Sequence, residues 1–101
     1  IHPTPEVIPY TAAKAGLNAM TIGFAHTFGP HVRVNCIMPG SFRTDISKAW
    51  NWSLVDQAMK RIALERVGEP HEIVGTALYL ASDASSYTTG AVFPVDGGVP
   101  T

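Results

Sequence analysis

Tyr10 and Lys14 stand four residues apart in the run Tyr10-Thr11-Ala12-Ala13-Lys14-Ala15-Gly16. On an α-helix that spacing turns about 400° and rises about 6 Å, so a phenol and an ammonium project from one face. A phenol titrates at about 10, and a neighbouring cation favours its phenolate. The pair is therefore a general acid/base device in outline, although a solvated aromatic beside a surface charge has the same spacing. A second candidate is Pro39-Gly40-Ser41-Phe42-Arg43-Thr44. Its Pro-Gly turn would let the backbone approach a ligand, and Thr44 could meet a phosphate or an amide. Asp96-Gly97-Gly98 is a third, and both turns are also compatible with ordinary chain reversals.

Composition narrows the classes of function. Lys and Arg number 7 against 8 for Asp and Glu, with no basic stripe, which argues against nucleic acid as a partner. A chain of 101 residues is one domain at most. Cys36 is the single cysteine and cannot form an internal disulfide; between Val34, Asn35 and Ile37 it reads as a small buried strand residue. A reducing, cytoplasmic setting fits. No apolar run reaches the length of a membrane span and no signal peptide is evident, so no membrane partner is expected. His26 and His31 straddle the helix end at Gly29-Pro30, His71 opens a helix and His2 lies at the start. Surface or capping roles follow for all four, and no metal.

The elements that must position these groups alternate. Leu17, Met20, Thr21, Phe24 and Phe28 recur at helical spacing from about Tyr10 to Phe28, a face for packing on a sheet. Ala12, Ala15, Gly16, Ala19 and Gly23 keep another face small, and Gly29-Pro30 ends the helix. Val32 to Met38 reads as a buried strand bounded by Pro39-Gly40. Ser41 to Arg66 reads as short helices joined by loops. A helix opens at Pro70 and runs to about Ser82, with Ile73, Val74, Ala77 and Leu80 on its apolar face. Ala91 to Val95 is a last strand.

Helix, strand, helices, helix, strand is the α/β alternation of a doubly wound parallel sheet. Two adjacent parallel strands have no independent stability, and such sheets are covered on both faces. The chain also opens at Ile1 without Met, on a stretch containing Pro3, Pro5 and Pro9. It therefore reads as the C-terminal part of a larger α/β protein.

At this point five motifs coincide: Tyr10-x-x-x-Lys14; Arg33-Val34-Asn35-Cys36-Ile37-Met38-Pro39-Gly40 followed by Thr44-Asp45; Arg66-x-Gly68-x-Pro70-x-Glu72-Ile73; Leu80-Ala81-Ser82-Asp83; and Val95-Asp96-Gly97-Gly98. In order and interval they resemble the C-terminal part of the short-chain dehydrogenase/reductase family. The resemblance implies that residues 1–101 are part of one NAD(P)-binding Rossmann domain. Within it, residues 41–66 would be the substrate-binding lobe.

Laid onto this chain, the resemblance makes Tyr10 the catalytic acid/base. Lys14 would bind the nicotinamide ribose and lower the Tyr10 pKa. Ile37 would meet the nicotinamide carboxamide through its backbone, Pro39 and Gly40 would shape the turn beneath the ring, and Thr44 would bind the cofactor, NAD or NADP, through its hydroxyl. Trp50 and Trp52 are candidates for lining an apolar substrate pocket or for packing the lobe in place. A small-molecule alcohol or carbonyl is the implied substrate, and a homotetramer or homodimer the implied assembly. The family's catalytic Ser, its Gly-rich cofactor loop and the NAD/NADP selector would all fall upstream of Ile1, so the isolated chain is expected to be inactive. The alternative is a non-catalytic dinucleotide-binding or interaction protein of the same fold.

Overall fold

The computed structural model describes residues 8–100, with side chains from residue 11 onward. The first helix, α1, spans Ile8–Phe28. Pro9 stands in its first turn, where a missing N–H is no loss, and the alanines that follow are the best helix formers. The helix stops at Gly29, whose N–H donates to the Ala25 carbonyl at 3.0 Å, while Val32 N–H donates to Phe28 at 3.0 Å. Thr21 turns its hydroxyl back onto the Leu17 carbonyl at 2.7 Å, which lets a polar side chain be buried.

Two short parallel strands follow, β1 (Cys36–Pro39) and β2 (Val92–Val95), paired Cys36 to Val92 through Pro39 to Val95. Both are shorter than the sequence pattern predicts, and the segment before β1 shows why. Residues 33–35 run against the loop before β2, where one backbone bond, Gly90 N–H to the Val34 carbonyl at 2.7 Å, is supplemented by side chains. Val34 N–H donates to Thr89 Oγ1 at 3.0 Å. Asn35 Nδ2 donates to the Thr88 carbonyl at 3.0 Å, and its Oδ1 accepts from Ala91 N–H at 3.0 Å. Arg33 reaches further, donating to Ser85 Oγ at 2.7 Å and to the carbonyls of Leu80 and Ser82 at 3.4 Å. A cation against the last carbonyls of a helix is electrostatically favourable. Ser85 is fully buried at this junction.

Between the strands the chain forms a 3₁₀ turn at Ile46–Ala49, α2 (Trp52–Met59) and α3 (His71–Ala81). Asn51 caps α2, its side chain accepting from Ser53 and Leu54 N–H. This agrees with the reading of residues 41–66 as short helices and loops. Phe42 and Gly68 form a parallel bridge, so the lobe leaves and re-enters at one place. Tyr79 on α3 packs edge-on against Phe93 of β2, with ring centroids 6.3 Å apart.

Two expectations about burial are corrected. Cys36 and the rest of β1 are half-buried or exposed, not buried. Among the described side chains of α1, those buried are Thr21 and Ala25, whereas Met20, Phe24 and Phe28 stay 46–55% exposed. The reason is the same for both. Two strands offer a strip too narrow to cover a 21-residue helix, and neither sheet face is sealed among the described residues. The Cα radius of gyration of 15.6 Å exceeds the roughly 13 Å of a compact domain this size.

Asn35 is the test of the stitched entry to β1. Asn35→Ala leaves Ala91 N–H without a partner and the Thr88 carbonyl with only the 3.4 Å bond from Arg33, and should lower the unfolding free energy of the protein by about 1–3 kcal/mol in a urea titration.

Candidate functional site

The carboxyl ends of β1 and β2 bring two of the predicted turns together. Gly40 N–H continues the pairing by donating to the Val95 carbonyl at 2.9 Å. A Cβ on Gly40 would lie 2.7 Å from the Asp96 Cα, so only glycine lets the Pro39-Gly40 turn sit against Asp96. Asp96 Oδ1 accepts from Gly98 N–H at 2.9 Å, folding Asp96-Gly97-Gly98 into its own tight turn. Gly98 has φ +90°, and a Cβ there would meet the Ala63 Cβ at 2.5 Å. The end of the lobe docks on this turn, with Ala63 and Leu64 N–H donating to the carbonyls of Gly98 and Gly97 at 3.1 and 2.9 Å.

Thr44 follows directly. Its N–H donates to Ser47 Oγ at 2.9 Å and its carbonyl accepts from the Ser47 hydroxyl at 2.6 Å. Both backbone groups are thus occupied by a buried serine, while the Thr44 side chain is exposed. Among the described residues its hydroxyl has no hydrogen-bond partner.

The lobe is held at its base by two arginine–glutamate pairs on the start of α3. Arg43 Nε donates to Glu69 Oε1 at 3.0 Å. Arg66 makes a two-pronged pair with Glu72, Nη1 to Oε1 at 2.7 Å and Nη2 to Oε2 at 2.8 Å. Glu72 Oε1 also accepts from Glu69 N–H at 3.0 Å. The Arg66 hydrogen bond first, and the Glu69 backbone N–H second, hold the Glu72 carboxyl down at about 2, well below its ordinary 4.5. The same hydrogen bond raises the Arg66 guanidinium above its usual value. A cavity of about 120 Å³ opens beside this pair, lined by Ser41, Leu64, Arg66, Glu72 and Asp96 among others.

Of the predicted site residues, Pro39 and Gly40 lie at the carboxyl end of β1, and Thr44 follows four residues after Gly40. Ile37, in β1, lines a separate open groove that it shares with Arg33, Asn35 and Leu80. Trp50 and Trp52 pack against each other with their rings tilted by 41° and centroids 5.7 Å apart, and Arg43 lies over the Trp52 ring at 4.6 Å. Lys14 is half-buried on α1. Tyr10 is on the same helix, and its side chain lies outside the described residues. Glu69 and Glu72 were not foreseen as partners of the two arginines. Glu69 is 26 positions from Arg43, too far for any local pattern to join them. Among the described residues no group of three or more His, Cys, Asp or Glu could hold a metal ion, and no helix is long and apolar enough to cross a membrane.

A family model described as enoyl-(acyl carrier protein) reductase matches residues 2–100. The chain is 45% identical over 97 residues to the 3-oxoacyl-(acyl-carrier-protein) reductase FabG of Chlamydia trachomatis, which covers 95% of this chain and 39% of that protein. A Serratia marcescens short-chain dehydrogenase/reductase superposes with a TM-score of 0.79 at 34% identity, over 97% of this chain and 40% of that one. This chain belongs to the short-chain dehydrogenase/reductase family. Members of that family share the Rossmann fold, of which the parallel α/β arrangement described above is a part. A third relative, 4-hydroxyisoleucine dehydrogenase complexed with NADH, superposes with a TM-score of 0.76 at 36% identity, over 88% of this chain and 38% of that one. The chain thus spans about two fifths of the length of the relatives it matches.

The Glu72 pair makes a pH prediction with a definite sign. A carboxyl depressed in the folded state contributes stability that is full above its unfolded value of about 4.5 and is lost as the pH falls toward 2. In an acid titration followed by circular dichroism, Glu72→Gln should flatten the stability loss between those limits. Salt should shrink the difference, because the pair is partly exposed.

Proposed function

We propose that the protein is an NAD(P)-dependent oxidoreductase interconverting an alcohol and a carbonyl, with residues 1–101 forming the C-terminal part of its Rossmann domain. The reading is carried by the family match across residues 2–100, which includes the Tyr10-x-x-x-Lys14 helix and the Pro39 to Thr44 turn. The uncovered faces of α1 and of the two-stranded sheet are consistent with it, since the remainder of a doubly wound sheet would cover them.

The residues present fit a dinucleotide. Gly40 stands at the carboxyl edge of the sheet, where such folds take their ligands, and its missing side chain lets the two turns there pack together at Asp96. Thr44 offers an exposed hydroxyl with no partner among the described residues, and Lys14 forms no ion pair among them. When bound, the nicotinamide supplies the hydride acceptor or donor. Tyr10 passes the accompanying proton to or from the substrate oxygen. Lys14 binds the nicotinamide ribose and favours the Tyr10 phenolate. Ile37 engages the carboxamide through its backbone, Pro39 and Gly40 shape the floor, and Thr44 binds the cofactor through its hydroxyl. The 41–66 lobe, with Trp50 and Trp52, holds a small-molecule substrate. A homotetramer or homodimer is the proposed assembly.

Tyr10→Phe in the full-length protein tests the reading. Turnover should fall by about 10²- to 10⁴-fold, the usual contribution of general acid/base catalysis, with NAD(P)H affinity by fluorescence titration retained. Unchanged turnover would remove Tyr10 from the chemistry.

A further inference from the structure

Resting on the reading of Thr44 as a dinucleotide contact, we propose that Ser47 is a positioning residue for it. Ser47 holds both polar groups of the Thr44 backbone and so leaves the Thr44 hydroxyl free, presented from a fixed turn.

Thr44-Asp45-Ile46-Ser47 has the spacing of a helix capping box. In a complete box the first residue's hydroxyl accepts from the backbone N–H of the fourth, and the fourth's side chain reaches back to the first N–H. Only the second half is made here. Ser47 Oγ accepts from Thr44 N–H at 2.9 Å. The Ser47 N–H donates instead to the Thr44 carbonyl, at 3.1 Å, and the Ser47 hydroxyl donates to that same carbonyl at 2.6 Å. The bond forgone is the one that would occupy the Thr44 hydroxyl. Thr44 is exposed, and its hydroxyl has no hydrogen-bond partner among the described residues. It stands after the carboxyl end of β1, on the side of the sheet where such folds take their ligands.

The surroundings of Ser47 suit this task. It is 1% exposed, so water does not compete for its two side-chain bonds. Its carbonyl accepts from Trp50 N–H at 3.0 Å, which holds the 3₁₀ turn in place. A hydroxyl donates and accepts at once, so one group serves both sides of the Thr44 backbone. On the preceding residue, Arg43 N–H donates to the Gly68 carbonyl at 2.8 Å. Thr44 is therefore held from both directions, and a ligand that takes its hydroxyl has no turn to order first. With alanine at position 47 the Thr44 N–H loses its partner, the turn gains freedom, and the ordering falls on the binding step.

The experiment is fluorescence titration of the full-length protein with NADH or NADPH, at a temperature where circular dichroism shows every variant folded. Ser47→Ala should weaken binding about 2–10-fold, the cost of ordering one side chain on association. Thr44→Val, which keeps the shape and removes the hydroxyl, should weaken it by a similar factor. The double variant should bind no worse than Thr44→Val alone, because Ser47 acts through the Thr44 hydroxyl. A loss of stability by itself would leave the affinity of folded protein unmoved. Unchanged affinity in Ser47→Ala, unchanged affinity in Thr44→Val, or additive losses in the double variant would each overturn the proposal. Should Ser47→Ala not fold, Ser47→Cys fills the same space with a weak hydrogen-bonding group and takes its place in the cycle. If the unaltered protein binds neither NADH nor NADPH, the dinucleotide reading fails and the Ser47 role falls with it. Binding by the unaltered protein with no Ser47 effect overturns the Ser47 role alone.

Discussion

The parallel pairing of Cys36–Pro39 with Val92–Val95 is the constraint on which the other features depend. Parallel strands cannot be joined by a tight turn, so everything from Gly40 to Ala91 must travel out and back between them. That excursion has two parts with different tasks. Residues 41–66 leave the sheet as the lobe and return at the Phe42 to Gly68 bridge. Helix α3 then carries the chain back to the start of β2, where Arg33 gathers its last carbonyls. The register of the strands sets Gly40 against Asp96, and that contact aligns the two turns at the candidate cofactor edge.

The pairing also explains where the described residues leave apolar surface uncovered. Burial of a leucine or phenylalanine is worth roughly 1.5–3 kcal/mol, yet Phe24, Phe28, Leu64 and Leu78 remain 46–64% exposed. Ala25 and Val67 are the buried apolar side chains among the described residues. Stability in the described part therefore leans on polar stitching: Arg33 and Asn35 at the entry to the strands, Ser47 under Thr44, and Arg43 and Arg66 on the two glutamates at the start of α3.

Much of the architecture was legible because it rests on local rules. Gly29-Pro30 stops α1, Pro70 precedes the start of α3, and the Pro39-Gly40 and Asp96-Gly97-Gly98 turns fall where the sequence puts them. The lengths of the strands were not legible. Val32 to Met38 is rich in strand formers, but its first half lies opposite a loop and bonds to it mainly through the side chains of Arg33, Asn35 and Thr89, with one backbone bond from Gly90 to Val34. Burial was misjudged for a related reason, since periodicity shows which face a helix prefers to hide and says nothing of whether a surface exists to hide it.

By itself the sequence determined the order of elements, the glycine positions and the motif set that marks the family. These follow from single residues or from spacings of a few positions, where backbone sterics and helical pitch decide. The tertiary structure alone decided that Glu69 answers Arg43, that Trp52 lies under the same guanidinium, and that Gly40 abuts Asp96. The Arg43–Trp52 contact depends on the turn between them, whereas the Glu69 and Asp96 contacts join residues far apart in the chain, and their geometry exists only once the parallel register has brought both ends of the lobe to one edge of the sheet.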